Sequence, residues 1–209
     1  MKSIKRIAPI VLLTFSSFAL AQVGNNEVLL DPNLIDADDL MSLPNMTDEL
    51  AEAVINGRPY LTAGQFDDVL ASGMDESERE TVYGQLFRQV NLNTASEADI
   101  MLIPSMNGRM THEFEEYRPY TSLNQFRREI GKYVDDAEVA RLEQYVFVPM
   151  NLNTASEEAF ETIPGMTPKM VHEFEEYRPY SSMEQFRREI GKYVDDDEVA
   201  RLESYVTLD

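Results

Sequence analysis

The stretch Asn91-Leu92-Asn93-Thr94-Ala95-Ser96-Glu97 returns unchanged sixty residues later as Asn151-Leu152-Asn153-Thr154-Ala155-Ser156-Glu157. The match continues without a gap: HEFEEYRPY at 112–120 recurs at 172–180, and QFRREIGKYVDD at 125–136 recurs at 185–196. About two-thirds of the positions in the two copies are identical, the mark of a recent duplication. One further step back by the same period uncovers a diverged copy. Asp31-Pro32-Asn33, Leu43-Pro44, Arg58-Pro59-Tyr60 and Phe66 take the places of Asn91-Leu92-Asn93, Ile103-Pro104, Arg118-Pro119-Tyr120 and Phe126. Three units, 31–90, 91–150 and 151–209, therefore follow a linker at 22–30. Self-similarity at this period marks small modules that gain from packing on their neighbours.

Within the second unit the apolar spacing is helical. Met110, Phe114 and Tyr117, then Leu123, Phe126 and Ile130, then Val139, Leu142 and Val146 each define one buried face, and the third unit repeats all three sets. Before them comes a short helix that Thr94 or Ser96 can cap, ending at Ile103-Pro104. Pro119 and Pro179 break the chain after the second helix. No segment alternates with the period of a strand over a useful length. The expectation is an all-α protein, each unit built from four to five short helices joined in two tight pairs.

Lys2, Lys5 and Arg6 precede an apolar run from Ile7 through Leu20 that ends in Ala19-Leu20-Ala21, the layout of a secretory signal peptide over 1–21. Small residues at the −3 and −1 positions place the cut between Ala21 and Gln22. The run is shorter than the roughly 20 apolar residues of a membrane span, and an uncleaved N-terminal anchor is the alternative. The reading predicts an exported protein, periplasmic or secreted. The chain of 209 residues carries 18 basic and 38 acidic residues, and loss of the leader removes three basic ones. So acidic a chain lacks the basic footprint of a simple polyanion binder. Its lack of cysteine excludes a thiolate nucleophile, a disulfide framework, a cysteine-based metal centre and a lipid-modified bacterial N-terminus.

The VNLNTASEADIMLIPSM opening at 90–106, the Tyr-Arg-Pro-Tyr junction and the Phe before a second turn and helix resemble the tandem helix-hairpin-helix domain of the ComEA family. The likeness covers nearly the whole chain beyond the leader, three times over. It implies three tandem (helix-hairpin-helix)2 modules. For function it implies an exported receptor that takes up DNA beside pilus or secretion-type machinery. The same domain type also serves as a protein-binding piece in the extrinsic U subunit of photosystem II, so fold and function are separate questions.

DNA-binding members carry a Gly-apolar-Gly hairpin, whose glycines admit a phosphate to the backbone amides. The six equivalents here are Asn45-Met46-Thr47, Ser105-Met106-Asn107 and Gly165-Met166-Thr167 at the first turns, and Gly73-Met74-Asp75, Tyr133-Val134-Asp135 and Tyr193-Val194-Asp195 at the second. None keeps both glycines. Each ends in Thr, Asn or Asp, residues that cap a helix with their own oxygen. Pro168 at the first helical position, and Glu138 and Glu198 three residues after Asp135 and Asp195, fit that capping pattern.

Arg109, Arg127, Arg128, Lys132, Lys169, Arg187, Arg188 and Lys192 are the candidate contacts to an anion or partner, against the plainer reading that they pair with acidic neighbours. Arg58, Arg118 and Arg178 either receive a partner carboxylate or bond the carbonyls of the helix they end. His112 and His172 lack the second histidine of a zinc-protease pattern, which leaves a His-Glu pair along one helix face. The runs Asp36-Ala37-Asp38-Asp39 and Asp195-Asp196-Asp197-Glu198 lack the spacing of a calcium loop and suit helix starts. Neither a metal nor a cofactor is expected, and no catalytic constellation stands out, so the protein is read as a non-enzyme. Its expected partner is a protein with a basic surface, and DNA is the alternative.

Overall fold

The computed structural model describes residues 22–24 and 29–209; the leader expected at 1–21 lies outside the described residues. Twelve short helices and four two-residue strands make up the described chain, with the sixty-residue period of the sequence. In the first unit α1 (Ala37–Met41), α2 (Asp48–Asn56), α3 (Ala63–Leu70) and α4 (Glu76–Tyr83) lead to β1 (Val90–Asn91). The second holds α5 (Glu97–Met101), α6 (Gly108–Glu116), α7 (Leu123–Ile130), α8 (Asp136–Glu143) and β2 (Val146–Phe147). The third follows as β3 (Met150–Asn151), α9 (Glu157–Phe160), α10 (Pro168–Glu176), α11 (Met183–Ile190), α12 (Asp196–Glu203) and β4 (Val206–Thr207). None of the described helices is long and apolar enough to cross a membrane.

Helices this short are marginal alone, and every one of them starts on a side-chain cap. Asp36, Thr47, Thr62 and Asp75 cap the first four, Ser96, Asn107, Ser122 and Asp135 the next, and Ser156, Thr167, Ser182 and Asp195 the last. The opening loop of each unit is fixed just as locally. Asp31, Asn91 and Asn151 accept from the amide two residues on, at 2.8, 2.9 and 2.8 Å. Asn33, Asn93 and Asn153 then bond both the N–H and the C=O of Tyr60, Tyr120 and Tyr180, tying the opening loop to the segment after the second helix.

The ends of each unit meet in short parallel pairings that the sequence pattern did not reveal. Leu30 pairs with Leu86, β1 with β2 and β3 with β4. Four helices supply the crossover that a parallel pairing requires. Residues 22–24 add an antiparallel edge to β2: Gly24 N–H donates to Val146 O at 3.0 Å and Val148 N–H to Gln22 O at 2.8 Å. The approach is so close that a Cβ on residue 24 would lie 1.7 Å from the Glu143 carbonyl oxygen, which demands glycine.

Neighbouring units join by an aromatic plug. Phe87 meets Tyr145 with ring centroids 5.2 Å apart, and sixty residues on Phe147 meets Tyr205 at 4.6 Å. At the outer positions of this series stand Gln85, exposed, and Thr207, half-buried, where an aromatic would have nothing to meet. One apolar core runs through the first two units, and a second fills the third together with Val23 and Phe147.

Arg88 binds the three units together. It is fully buried, and its guanidinium donates to Tyr60 O at 2.9 Å, Tyr205 Oη at 2.6 Å and Ser204 Oγ at 2.7 Å. It also lies over the rings of Tyr205 and Phe147, at 4.6 and 5.5 Å. The Tyr205 hydroxyl in turn donates to buried Asp31 at 3.2 Å, and burial drives its pKa upward. Val148 and Leu208 hold the equivalent places in the later units. Replacing Arg88 by the repeat's own leucine takes a donor from the Tyr60 carbonyl, Tyr205 Oη and Ser204 Oγ at once. Arg88→Leu is expected to lower unfolding free energy by about 3 kcal/mol or more, measured by denaturant titration.

Candidate functional site

The two turns of each unit lie side by side. In the first turns the leading residue is left-handed, with φ of 62° at Asn45, 61° at Ser105 and 74° at Gly165. The methionine in the middle is half-buried against the core. The third residue caps: Leu50 N–H donates to Thr47 Oγ1 at 3.2 Å, Met110 N–H to Asn107 Oδ1 at 3.1 Å and Met170 N–H to Thr167 Oγ1 at 3.2 Å. At the second turns Asp75, Asp135 and Asp195 accept from Glu78, Glu138 and Glu198 N–H at 3.0, 2.9 and 2.9 Å. In all six turns a side-chain oxygen occupies an amide that a bound anion would use.

The reciprocal half of the capping pattern is corrected by the structure. It closes at the second turn of the first unit, where Glu78 returns to the Asp75 amide at 2.9 Å. Glu138 and Glu198 turn away because Arg141 and Arg201 take their carboxylates with two hydrogen bonds each, 2.7 and 2.7 Å and 2.6 and 2.7 Å. The same guanidiniums reach back to Pro104 O and Pro164 O at 2.8 Å, lashing the second turn to the first. Thr81 stands at this place in the first unit, so Glu78 has no cation to draw it off. Arg141 and Arg201 were not singled out in the sequence, although an Arg three residues after Glu on a helix is a signal for such a pair.

The candidate cations divide cleanly. Arg127 grips Glu143 with bonds of 2.5 and 2.6 Å, and Arg187 grips Glu203 with bonds of 2.7 and 2.6 Å. Arg128 and Lys132 share Glu129, and Arg188 and Lys192 share Glu189. Arg109 and Lys169, beside the first turns, have no carboxylate within ion-pair distance among the described residues. They lie over the rings of Tyr133 and Tyr193 at 5.9 and 5.4 Å. Those tyrosines are hydrogen-bonded to Tyr117 and Tyr177 at 2.8 Å, whose rings carry Lys132 and Lys192 at 4.8 Å. The bond to the neighbouring tyrosine, with the negative charge of Glu113 or Glu173 nearby, holds the Tyr133 and Tyr193 hydroxyls protonated well above the usual range. Glu49, Gly57, Ser72 and Gly73 replace this arrangement in the first unit.

Arg58, Arg118 and Arg178 do not bond the carbonyls of the helix they end. They reach the opening loop of their own unit, at Pro32 O and Ile35 O (2.8 and 2.5 Å), Leu92 O and Ala95 O (2.6 and 2.7 Å), and Leu152 O and Ala155 O (2.6 and 2.7 Å). The turn at Arg-Pro carries the chain back across that loop, which spacing along one helix does not reveal. His112 and His172 sit 3.6 Å from Glu116 and Glu176, one helical turn on and exposed. Asp36 and Asp195 serve as caps. Among the described residues no group of three His, Asp or Glu side chains converges as a metal site.

The two junctions between units differ. Asp99 accepts from the Gly64 amide at 2.7 Å and latches the first, leaving a gap of about 70 Å³. At the second, Ala159 and Asn124 hold those places, and a groove of about 700 Å³ opens between Pro119, Pro149, Met150 and Ala155. Searches among family models, curated proteins and solved structures matched nothing to this chain.

Two predictions follow from this geometry. Asp135→Ala, and separately Asp195→Ala, is expected to cost about 1 kcal/mol, read as a lowered melting temperature. Lys132 and Arg128 hold Glu129 below the usual carboxylate range, and Lys192 and Arg188 do the same to Glu189. A depressed folded-state pKa gives stability that is present above the unfolded value and is lost as pH falls through the folded one. The double variant Glu129→Gln, Glu189→Gln is therefore expected to melt lower at neutral pH and to lose less on acidification than the parent.

Proposed function

We propose that the chain is an exported, non-catalytic protein of three tandem helix-hairpin-helix modules, with turns that serve protein recognition and a partner that presents a basic surface. The observation that carries this reading is the state of the turns. All six hold their own cap acceptor, and six of the eight candidate cations nearby are already bonded to carboxylates. A phosphate approaching the second turns would meet Asp75-Glu76, Asp135-Asp136 or Asp195-Asp196-Asp197. Each close pair of like charges is unfavourable by on the order of 1 kcal/mol in water, and by more where water is excluded. The first unit, with 3 basic and 13 acidic residues, offers the most negative surface and would steer a basic partner on approach. The leader at 1–21 supports export to the periplasm or beyond.

Fluorescence anisotropy of the chain from Gln22 onward, against labelled single- and double-stranded DNA across a salt series, decides between this reading and a ComEA-like DNA receptor. No binding at physiological salt is the expected result. Micromolar or tighter binding, with log K falling as log salt rises, would overturn it and point to Arg109 and Lys169 as the phosphate contacts.

A further inference from the structure

Residues 22–24 are built into the junction between the second and third units. The Gln22 carbonyl accepts from Val148, Gly24 bridges Val146 O and the Gln89 side chain at 3.0 and 3.3 Å, and Val23, 3% exposed, donates to Thr162 Oγ1 at 3.4 Å. All of these bonds use atoms from the Gln22 carbonyl onward. The Gln22 side chain is held far less well. Its Oε1 is buried with no hydrogen-bond partner, and its Nε2 makes one long bond, 3.3 Å, to Thr121 O. Gln22 also lines the groove at the second junction, beside Pro119, Val148, Pro149 and Met150.

We infer that Gln22 becomes the first residue of the exported chain and closes to pyroglutamate. The inference rests on the export reading, because cleavage after Ala21 is what frees the α-amine. The α-nitrogen attacks Cδ of its own side chain, an N–Cδ bond forms and the Cδ–Nε2 bond breaks. The proton lost by the α-nitrogen leaves with Nε2 as ammonia. No oxidant, reductant or second reactant enters. The product keeps the Gln22 carbonyl that anchors the strand, and the only bond it gives up is the long one to Thr121. It also replaces a charged α-ammonium by a neutral lactam beside a groove that Pro119, Val148, Pro149 and Met150 help to line. The closed ring leaves no free amine for an aminopeptidase at the strand that joins the second unit to the third.

The test is the mass of the N-terminal peptide of the protein recovered from exporting cells, measured at once and again after storage. The expected result in the first sample is a peptide starting at residue 22 and lighter by one ammonia, unreactive to amine labels and opened by pyroglutamyl peptidase. A peptide starting at Gln22 with a free, labelled amine would overturn the modification and leave the export reading standing. Closure that appears only on storage would overturn it as well, by showing an effect of handling. A peptide that retains the leader, or that starts at another residue, would overturn the modification and the cut after Ala21 on which it rests. The Gln22→Ala variant, which has no amide to cyclise, is expected to keep a reactive amine and to show no loss of mass.

Discussion

A buried guanidinium has to be surrounded by acceptors, and Arg88 finds its acceptors in the first and third units and its aromatic neighbours in the second and third. Tyr60 lies in the first unit, Phe147 in the second, and Ser204 and Tyr205 in the third. The desolvation of such a charge is repaid only when all of these groups stand in place together. Arg88 therefore ties the three repeat units, two of them closed by a parallel strand pair and the first by the single bridge Leu30–Leu86, into one cooperative object. Leu34 of the first unit, lying where a Cβ on Gly165 would be 2.9 Å away, brings the same two units together at a second point.

Around that centre the repeat works by substitution at fixed places. Where the first unit has Thr81, the later ones have an arginine that draws a glutamate away from its cap and binds the neighbouring turn. Where it has Glu49 and Gly73, they have a cation lying over a tyrosine. The second and third units thus carry the same surface twice, and the first carries a different and more acidic one.

Much of the local structure was legible in the sequence. The period, most of the helix faces and the caps at Thr47, Asn107, Thr167, Asp75, Asp135 and Asp195 follow from residue types at fixed spacing, since a helix start needs an acceptor whatever the tertiary context; Val146 and Val206, read as the ends of a helix face, lie instead in β2 and β4, beyond helices that stop at Glu143 and Glu203. The strands could not be read, because two residues are too few to show alternation. Nor could Arg88, which breaks the repeat and gains its meaning from groups far along the chain, two of them more than a hundred residues away. The destinations of Arg118 and Arg178 were missed for a similar reason: the carbonyls they bind lie 23 and 26 residues earlier, across a turn.

The aromatic plugs at Phe87–Tyr145 and Phe147–Tyr205 bear on how such a chain can lengthen. A duplicated unit arrives with both halves of the joint already encoded, which makes the copying of one module an easy evolutionary step. Arg88 acts in the opposite direction. An extra copy inserted before the third unit would carry Tyr205 away from the guanidinium that donates to it. A gene that gains a copy there gains an intact joint and loses its centre, so three is a number that selection on stability alone can hold fixed.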